Sequence, residues 1–159
     1  MSQVSIQPHN VPRSVAVRAT TAGAALLIAT AGYVHLCLYR RGYRFIPTVG
    51  EAFILEAAAS FVVAAVLIGG ALRSAPRRNT GSTALFWSRL GALGLLASSL
   101  MAFAISRTPS GLFGFYERGF DPAPKAAIAF FSEVAAVVLV AASLAAERAA
   151  HTSAGTRRM

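Results

Sequence analysis

The chain has 159 residues, of which 55% are hydrophobic and 13% charged. Soluble domains carry about 25% charged residues, so the length of a single domain is combined here with more apolar content than a small soluble core needs. Fourteen arginines and one lysine against six acids give a net charge of +9. These basic residues sit in short clusters between apolar segments, the pattern of membrane flanks, which excludes nucleic acid as the partner and makes membrane lipid the first one.

Residues 1–13 are polar and hold two prolines, and are expected to form a disordered tail. The first predicted span covers about 14–39. It has a basic flank and an Ala29-x-Ala31 pattern, but its apolar stretch is too long for a cleaved signal. RRGYRFIPTV (40–49) connects it to a second span at about 50–72. RSAPRRNTGS (73–82), with Pro76 and Gly81 as breakers, leads to a third span at about 83–105. The longest connection, SRTPSGLFGFYERGFDPA (106–123), is rich in glycine and aromatic residues. A fourth span at about 124–146 is followed by a polar tail, 147–159, also expected to be disordered. Each span exceeds the roughly 20 residues that cross a hydrocarbon core. None alternates with period two, so the segments read as helices that satisfy their own backbone hydrogen bonds in lipid.

The fold class that follows is all-α: an integral membrane four-helix bundle, up-down-up-down, with short connections joining antiparallel neighbours. Nine basic residues fall on the side of the two termini and six on the other. The positive-inside rule therefore predicts a multi-pass protein of the cell membrane with both termini cytoplasmic. Stripes of small residues, Ala52/Ala59/Gly70 on the second span, Gly91/Gly94/Ser98/Ala102 on the third and Ala129/Ala136 on the fourth, are expected at helix–helix contacts. Arg18 and Arg89, near the cytoplasmic face, are expected to snorkel to head groups. Trp87, Tyr33, Tyr39 and Tyr43 fit an aromatic interface belt.

Ionisable side chains inside spans are costly and face protein or water. His35, Glu56 and Glu133 are the candidates. At a rise of about 1.5 Å per residue they lie roughly 6, 9 and 13 Å from the non-cytoplasmic face, so they can converge as one intramembrane polar cluster. Glu117 and Asp121, in the long outer connection, could cap it. Glu51 is about 140° around the helix from Glu56 and reads as interfacial. The cluster could relay protons, hydrogen-bond a quinone head group or hold a small polar ligand. Equally, a carboxyl bonded to Ser60, Ser132 or His35 would serve helix association alone. Arg40, Arg41 and Arg44 are candidate contacts to anionic lipid.

No Walker loop, dinucleotide fingerprint or Ser/His/Asp arrangement occurs, so no catalytic residue is assigned and enzymatic activity is not the first expectation. The lone Cys37 cannot form an internal disulfide, and no ligand spacing supports a metal. No cofactor is expected, quinone being the one candidate. Three functions remain: an accessory or binding protein of a larger membrane complex, a redox or quinone-linked subunit, and a small-solute or proton-linked carrier acting as a homo-oligomer.

The stretch VHLCLYRRGYRFIPTVGEAFILEAAASFVVAAVLI (34–68) resembles a class of small actinobacterial four-span membrane proteins. The resemblance rests on His35, Leu36, Leu38, Tyr39, Gly42, Tyr43, Arg44, Gly50, Phe53 and Leu55, with GLFGFYE (111–117) and the Glu133 span, and covers about 15–146. It implies the four-span architecture and no activity. More loosely, the span count, His35 near the end of the first span, and Pro47 and Gly50 leading into the second are similar to the DoxX-like group. That likeness implies redox assemblies and quinone chemistry, with no catalytic residue carried over.

Overall fold

The computed structural model describes residues 13–72 and 80–156. Of the tail expected at 1–13, Arg13 opens a helix, and residues 1–12, the arginines 73, 77 and 78, and residues 157–159 lie outside the described residues. Helix α1 runs Arg13–Arg41, a 3₁₀ turn covers Tyr43–Phe45, and α2 runs Val49–Leu72; α3 is Thr80–Ile105 and α4 Lys125–Thr156. The described residues form helices and turns and no β-strand.

The chain leaves α1 at Gly42, whose φ of 147° is a conformation that side chains strain against. Pro47 then precedes the first turn of α2, where the Ala52 amide donates to Thr48 O at 2.9 Å. Between α3 and α4, Leu112 and Phe115 exchange backbone hydrogen bonds of 2.8 and 2.9 Å around Phe113 and Gly114. Both residues of that turn have positive φ, the geometry of a tight reversing turn.

Two boundaries differ from the sequence expectation. Helix α3 begins at Thr80, so Gly81 lies inside its first turn and does not break it. Helix α4 continues through Thr156, so residues 147–156, expected as a disordered tail, are helical. The alanine-rich sequence ERAAHTSAGT propagates a helix already nucleated in the membrane.

The four helices form a ring in chain order. Helix α1 packs closely between α2 and α4, and α3 closes the ring with fewer contacts to α2 and α4. Neither diagonal pair comes into backbone proximity. Helix α2 buries Ala57, Ser60, Ala64 and Leu67, one helical face at i, i+3, i+7 and i+10, and Ala57 and Ser60 meet α1 at Gly32. Ala24, Ala25 and Ile28 of α1, Ala92 and Leu96 of α3, and Ala136, Val140 and Leu144 of α4 complete a core at the end of the bundle that carries the termini. Several hydroxyls within the spans are satisfied locally: Thr21 donates to Val17 O at 2.8 Å, Thr30 to Leu26 O at 2.9 Å and Ser143 to Val140 O at 2.8 Å. Such back-bonding lets polar side chains sit in an apolar medium.

Each helix carries an apolar stretch of 22 to 27 residues. Leu26, Leu55, Val62, Trp87, Met101, Phe131 and Val138, distributed over all four helices, point outward and are exposed. Water would penalise such a surface, whereas lipid is its natural solvent. The protein is an integral, multi-pass membrane protein with an up-down-up-down helix bundle.

Two packing expectations are corrected. Arg89 does not snorkel: it is 1% exposed, and its guanidinium reaches from α3 across the bundle to Thr21 of α1, donating from Nη2 to Oγ1 at 2.9 Å. The small-residue stripe of α3 does not mediate close packing either, because a Cβ added at Gly91 or Gly94 would meet nothing within 4 Å. Close approaches are found instead at Gly32 of α1, where an added Cβ would lie 2.6 Å from Ser60 Cβ and 3.3 Å from Ala57 O, and at Gly70 of α2, which Leu85 of α3 covers.

Gly32→Ala is therefore expected to destabilise the bundle by about 1–3 kcal/mol through overpacking. Gly91→Ala should be neutral or stabilising, because alanine is intrinsically the better helix former. Thermal unfolding of both variants in mild detergent checks the contrast; equal midpoints would refute the contact.

Candidate functional site

The core that fills the terminal end of the bundle gives way, toward the α1–α2 and α3–α4 connections, to a cavity of about 440 Å³. It exists because α3 stands off while α1 is clasped between its neighbours. Helix periodicity decides what lines it. Ala52, Glu56 and Ala59 recur at helical spacing on α2, as do Leu95, Ser99 and Ala102 on α3, and Ala126, Ala129 and Glu133 on α4. His35 and Leu38 come from α1.

The polar groups fall into two tiers. In the deeper tier, His35 Nδ1 lies 2.9 Å from Ala31 O. A carbonyl can only accept, so Nδ1 carries a hydrogen, and in the neutral ring Nε2 presents a lone pair. His35 Nε2 is 3.9 Å from Glu133 Oε1, within ion-pair range and beyond hydrogen-bond range. The same oxygen accepts from Ser99 Oγ at 2.8 Å, and Glu133 is 2% exposed. Glu56 faces the same cavity and has no hydrogen bond or ion pair among the described residues. The ring of Phe53 stacks obliquely on His35 at 5.2 Å and on Tyr43 at 4.6 Å between centroids.

The outer tier closes the mouth. Tyr43 in the 3₁₀ turn donates its hydroxyl to Glu117 Oε1, and Arg107 Nη2 lies 3.2 Å from Glu117 Oε2. Arg107 also donates from Nε to Gly119 O at 3.0 Å and from Nη2 to Asp121 O at 3.1 Å, with its guanidinium 3.5 Å from the centre of the Phe103 ring. One planar fork thus ties the 106–123 connection to the end of α3. Phe103, Phe120 and Phe130 pack under it at 5.0–5.8 Å. Burial pushes the Glu117 carboxyl above the usual carboxylate range, while the hydrogen bond from Tyr43 and the Arg107 charge pull it back part of the way. Burial, then the Glu117 hydrogen bond and charge, raise the Tyr43 phenol, which therefore stays protonated as the donor of the pair.

His35, Glu56 and Glu133 are thus brought together around one cavity, and Glu117 sits over its mouth. Asp121 does not join them. It is exposed and takes no part in the lining; its carbonyl accepts from Arg107, and its carboxylate acts on Tyr43 and Glu117 only as a neighbouring charge. Ser60, considered as a partner for the carboxyls, is taken up in the α1–α2 contact. Arg40, Arg41 and Arg44 are exposed at the same end, with Arg44 lying 4.7 Å from the centre of the Phe45 ring. Sequence reasoning missed Ser99, Tyr43 and Arg107. Ser99 had a usable signal: it lies six residues before the end of α3, roughly 9 Å deep by helical rise, the depth expected of Glu56. The connection residues had none, since an arginine and a tyrosine beside a span read as flanking charge and interface belt.

Among the described residues no group of three or more His, Cys, Asp or Glu is placed to hold a metal ion, and Cys37 lies outside the cavity lining. The fold and site define a multi-pass membrane bundle, solid at one end and hollow at the other. Compared with protein-family models, with curated proteins and with solved structures, the chain matches none of them.

Removing the fork by Arg107→Ala should raise amide exchange across residues 117–121 by about tenfold or more, the loss of one charge-assisted hydrogen bond or its equivalent. Exchange in the middle of α1 should stay as it was. Hydrogen–deuterium exchange read by mass spectrometry checks this, and unchanged protection of the connection would remove Arg107 from its closing role.

Proposed function

We propose that this protein is a ligand-binding protein of the membrane, serving as the ligand-holding component of a larger membrane assembly. The observation that carries the proposal is a bundle interior left open and lined by aromatic and aliphatic side chains, with His35, Ser99, Glu133 and Glu56 gathered at its deep end. Packing for its own sake would fill that volume, as it does at the other end of the same bundle. Concave, mostly apolar sites with a few convergent polar groups are where small molecules bind.

The route of access is lateral. Leu55 of α2 is 68% exposed, Ser98 of α3 is exposed, and both also line the cavity. The opening therefore faces the bilayer between α2 and α3, which favours a lipid-soluble ligand with an apolar body and a hydrogen-bonding group. The excess of basic residues on the side of the termini supports a cytoplasmic location for both ends and an outward-facing mouth. A second reading, a quinone-linked subunit, is favoured by the hydrogen-bond inventory. The His35 Nδ1 and Ser99 hydroxyl donors are already used, and the remaining acceptors suit the two hydroxyls of a quinol.

Ala102 lines the cavity, and Ala102→Trp fills part of it from the α3 wall. Native mass spectrometry from mild detergent should show a bound lipid-soluble molecule on the wild-type protein and its loss from the variant. Equilibrium dialysis should show a short-chain benzoquinol binding the wild type at least about tenfold more tightly, a difference of about 1.4 kcal/mol. Identical spectra and identical quinol binding in the two proteins would sink the proposal.

A further inference from the structure

The deep end of the cavity has an imbalance that a neutral ligand does not correct. The titratable and charged groups that face the cavity as a whole are His35 from α1, Tyr43 from the 3₁₀ turn, Glu56 from α2, Glu133 from α4, and Arg107 and Glu117 from the α3–α4 connection. The Arg107 cation is matched by the Glu117 carboxylate, with Tyr43 as a further donor to it. That leaves Glu56 and Glu133 with no arginine or lysine other than Arg107 among the lining residues. An ionised carboxylate taken out of water requires a proton or a cation beside it. His35 can supply only the proton that it itself takes up, 3.9 Å from Glu133.

The surrounding walls favour a particular kind of cation. Phe53, Phe103 and Phe130 line the space between the two tiers, and aromatic faces attract cations whose charge is spread over an apolar body. A small hydrated ion would gain little there. The lateral opening at Leu55 and Ser98 admits molecules already dissolved in the bilayer.

Resting on the reading of this cavity as a ligand site, we infer that it takes a lipophilic organic cation and exchanges it against a proton held by the Glu56–Glu133 pair. For each monovalent cation that enters, one proton leaves the pair, or leaves His35 beside it, for the water at the mouth. The charge inside the cavity is the same before and after, so neither state leaves an uncompensated carboxylate in the membrane. Protons and ligand compete for one site, and the affinity for the cation rises with pH.

The test uses the full chain in mild detergent. Its probe is tetraphenylphosphonium, whose charge is permanent, so that the probe contributes no proton of its own. Its neutral counterparts are triphenylphosphine oxide and the short-chain benzoquinol. Calorimetry at several pH values, in buffers of different ionisation enthalpy, counts the protons released. The expected result is a tetraphenylphosphonium affinity that climbs by up to about tenfold per pH unit, with about one proton released per cation bound. Glu133→Gln and Glu56→Gln should each weaken cation binding by about tenfold or more, as expected when a desolvated charge partner is lost, and reduce the proton count, with a larger loss for tetraphenylphosphonium than for either neutral probe. The wild-type proton count stands whether or not the variants fold. Neutral probes that bind while tetraphenylphosphonium does not, or binds equally at every pH without proton release, overturn the inference and leave the ligand-binding reading standing. Failure of all three probes to bind overturns both.

Discussion

The contact of Gly32 with Ser60 sets the shape of everything around it. With no side chain on Gly32, α2 approaches α1 until Ser60 occupies the space that a Cβ would need. Helices in lipid gain nothing from expelling water, and they associate by van der Waals contact and hydrogen bonds that only close approach permits. Helix α1 is thereby held tightly on its α2 side, and the alanine-rich faces of α1 and α4 do the same on the other. A ring of four cannot be equally tight at every corner, and the slack falls on α3. At the terminal end that slack is taken up by Ile28, Leu67, Leu96, Val140 and the Arg89 side chain reaching to Thr21. At the other end the larger side chains, Phe53, Phe103 and Phe130 among them, line the walls without filling the space between them, and the cavity is what remains.

Satisfaction of polar groups follows the same division. Hydroxyls near or in the tight part of the bundle bond back to their own helices, and the buried guanidinium of Arg89 is met by a hydroxyl from the opposite helix. Around the cavity some bonds run between elements instead, Ser99 to Glu133 and Tyr43 to Glu117, while Arg107 draws its own connection together through the carbonyls of Gly119 and Asp121. The first kind maintains a helix in lipid. The second kind holds four helices and two connections in one arrangement, and it leaves acceptors facing an open space.

Much of the architecture was legible because lipid imposes so few solutions. Four apolar stretches separated by basic, proline-bearing connections admit helices and little else, and the convergence of His35, Glu56 and Glu133 followed from counting helical rise from one membrane face. What the sequence hid was rotational. Gly91 and Gly94 look like a packing stripe, yet only the rotation of α3 about its own axis decides that they face away from the other helices. The same rotation turns Arg89 inward and Ser99 toward Glu133. The arrangement of 106–123 was hidden for a different reason: its closure depends on one guanidinium meeting three oxygens from residues ten to fourteen positions away in the chain, and no periodicity encodes that.

Helix α4 has 32 residues, about 48 Å at 1.5 Å per residue, against a hydrocarbon thickness of about 30 Å. Its surplus lies beyond the core packed at Leu144, on the side of the termini, and stands in water as a continuation of the same rod. Mechanically that makes the end of the described chain a mast rather than a tether. A fluorophore or fused domain attached near Thr156 would be carried at a set height and bearing above the bilayer, and any tilt of α4 beside the cavity would be magnified there by leverage.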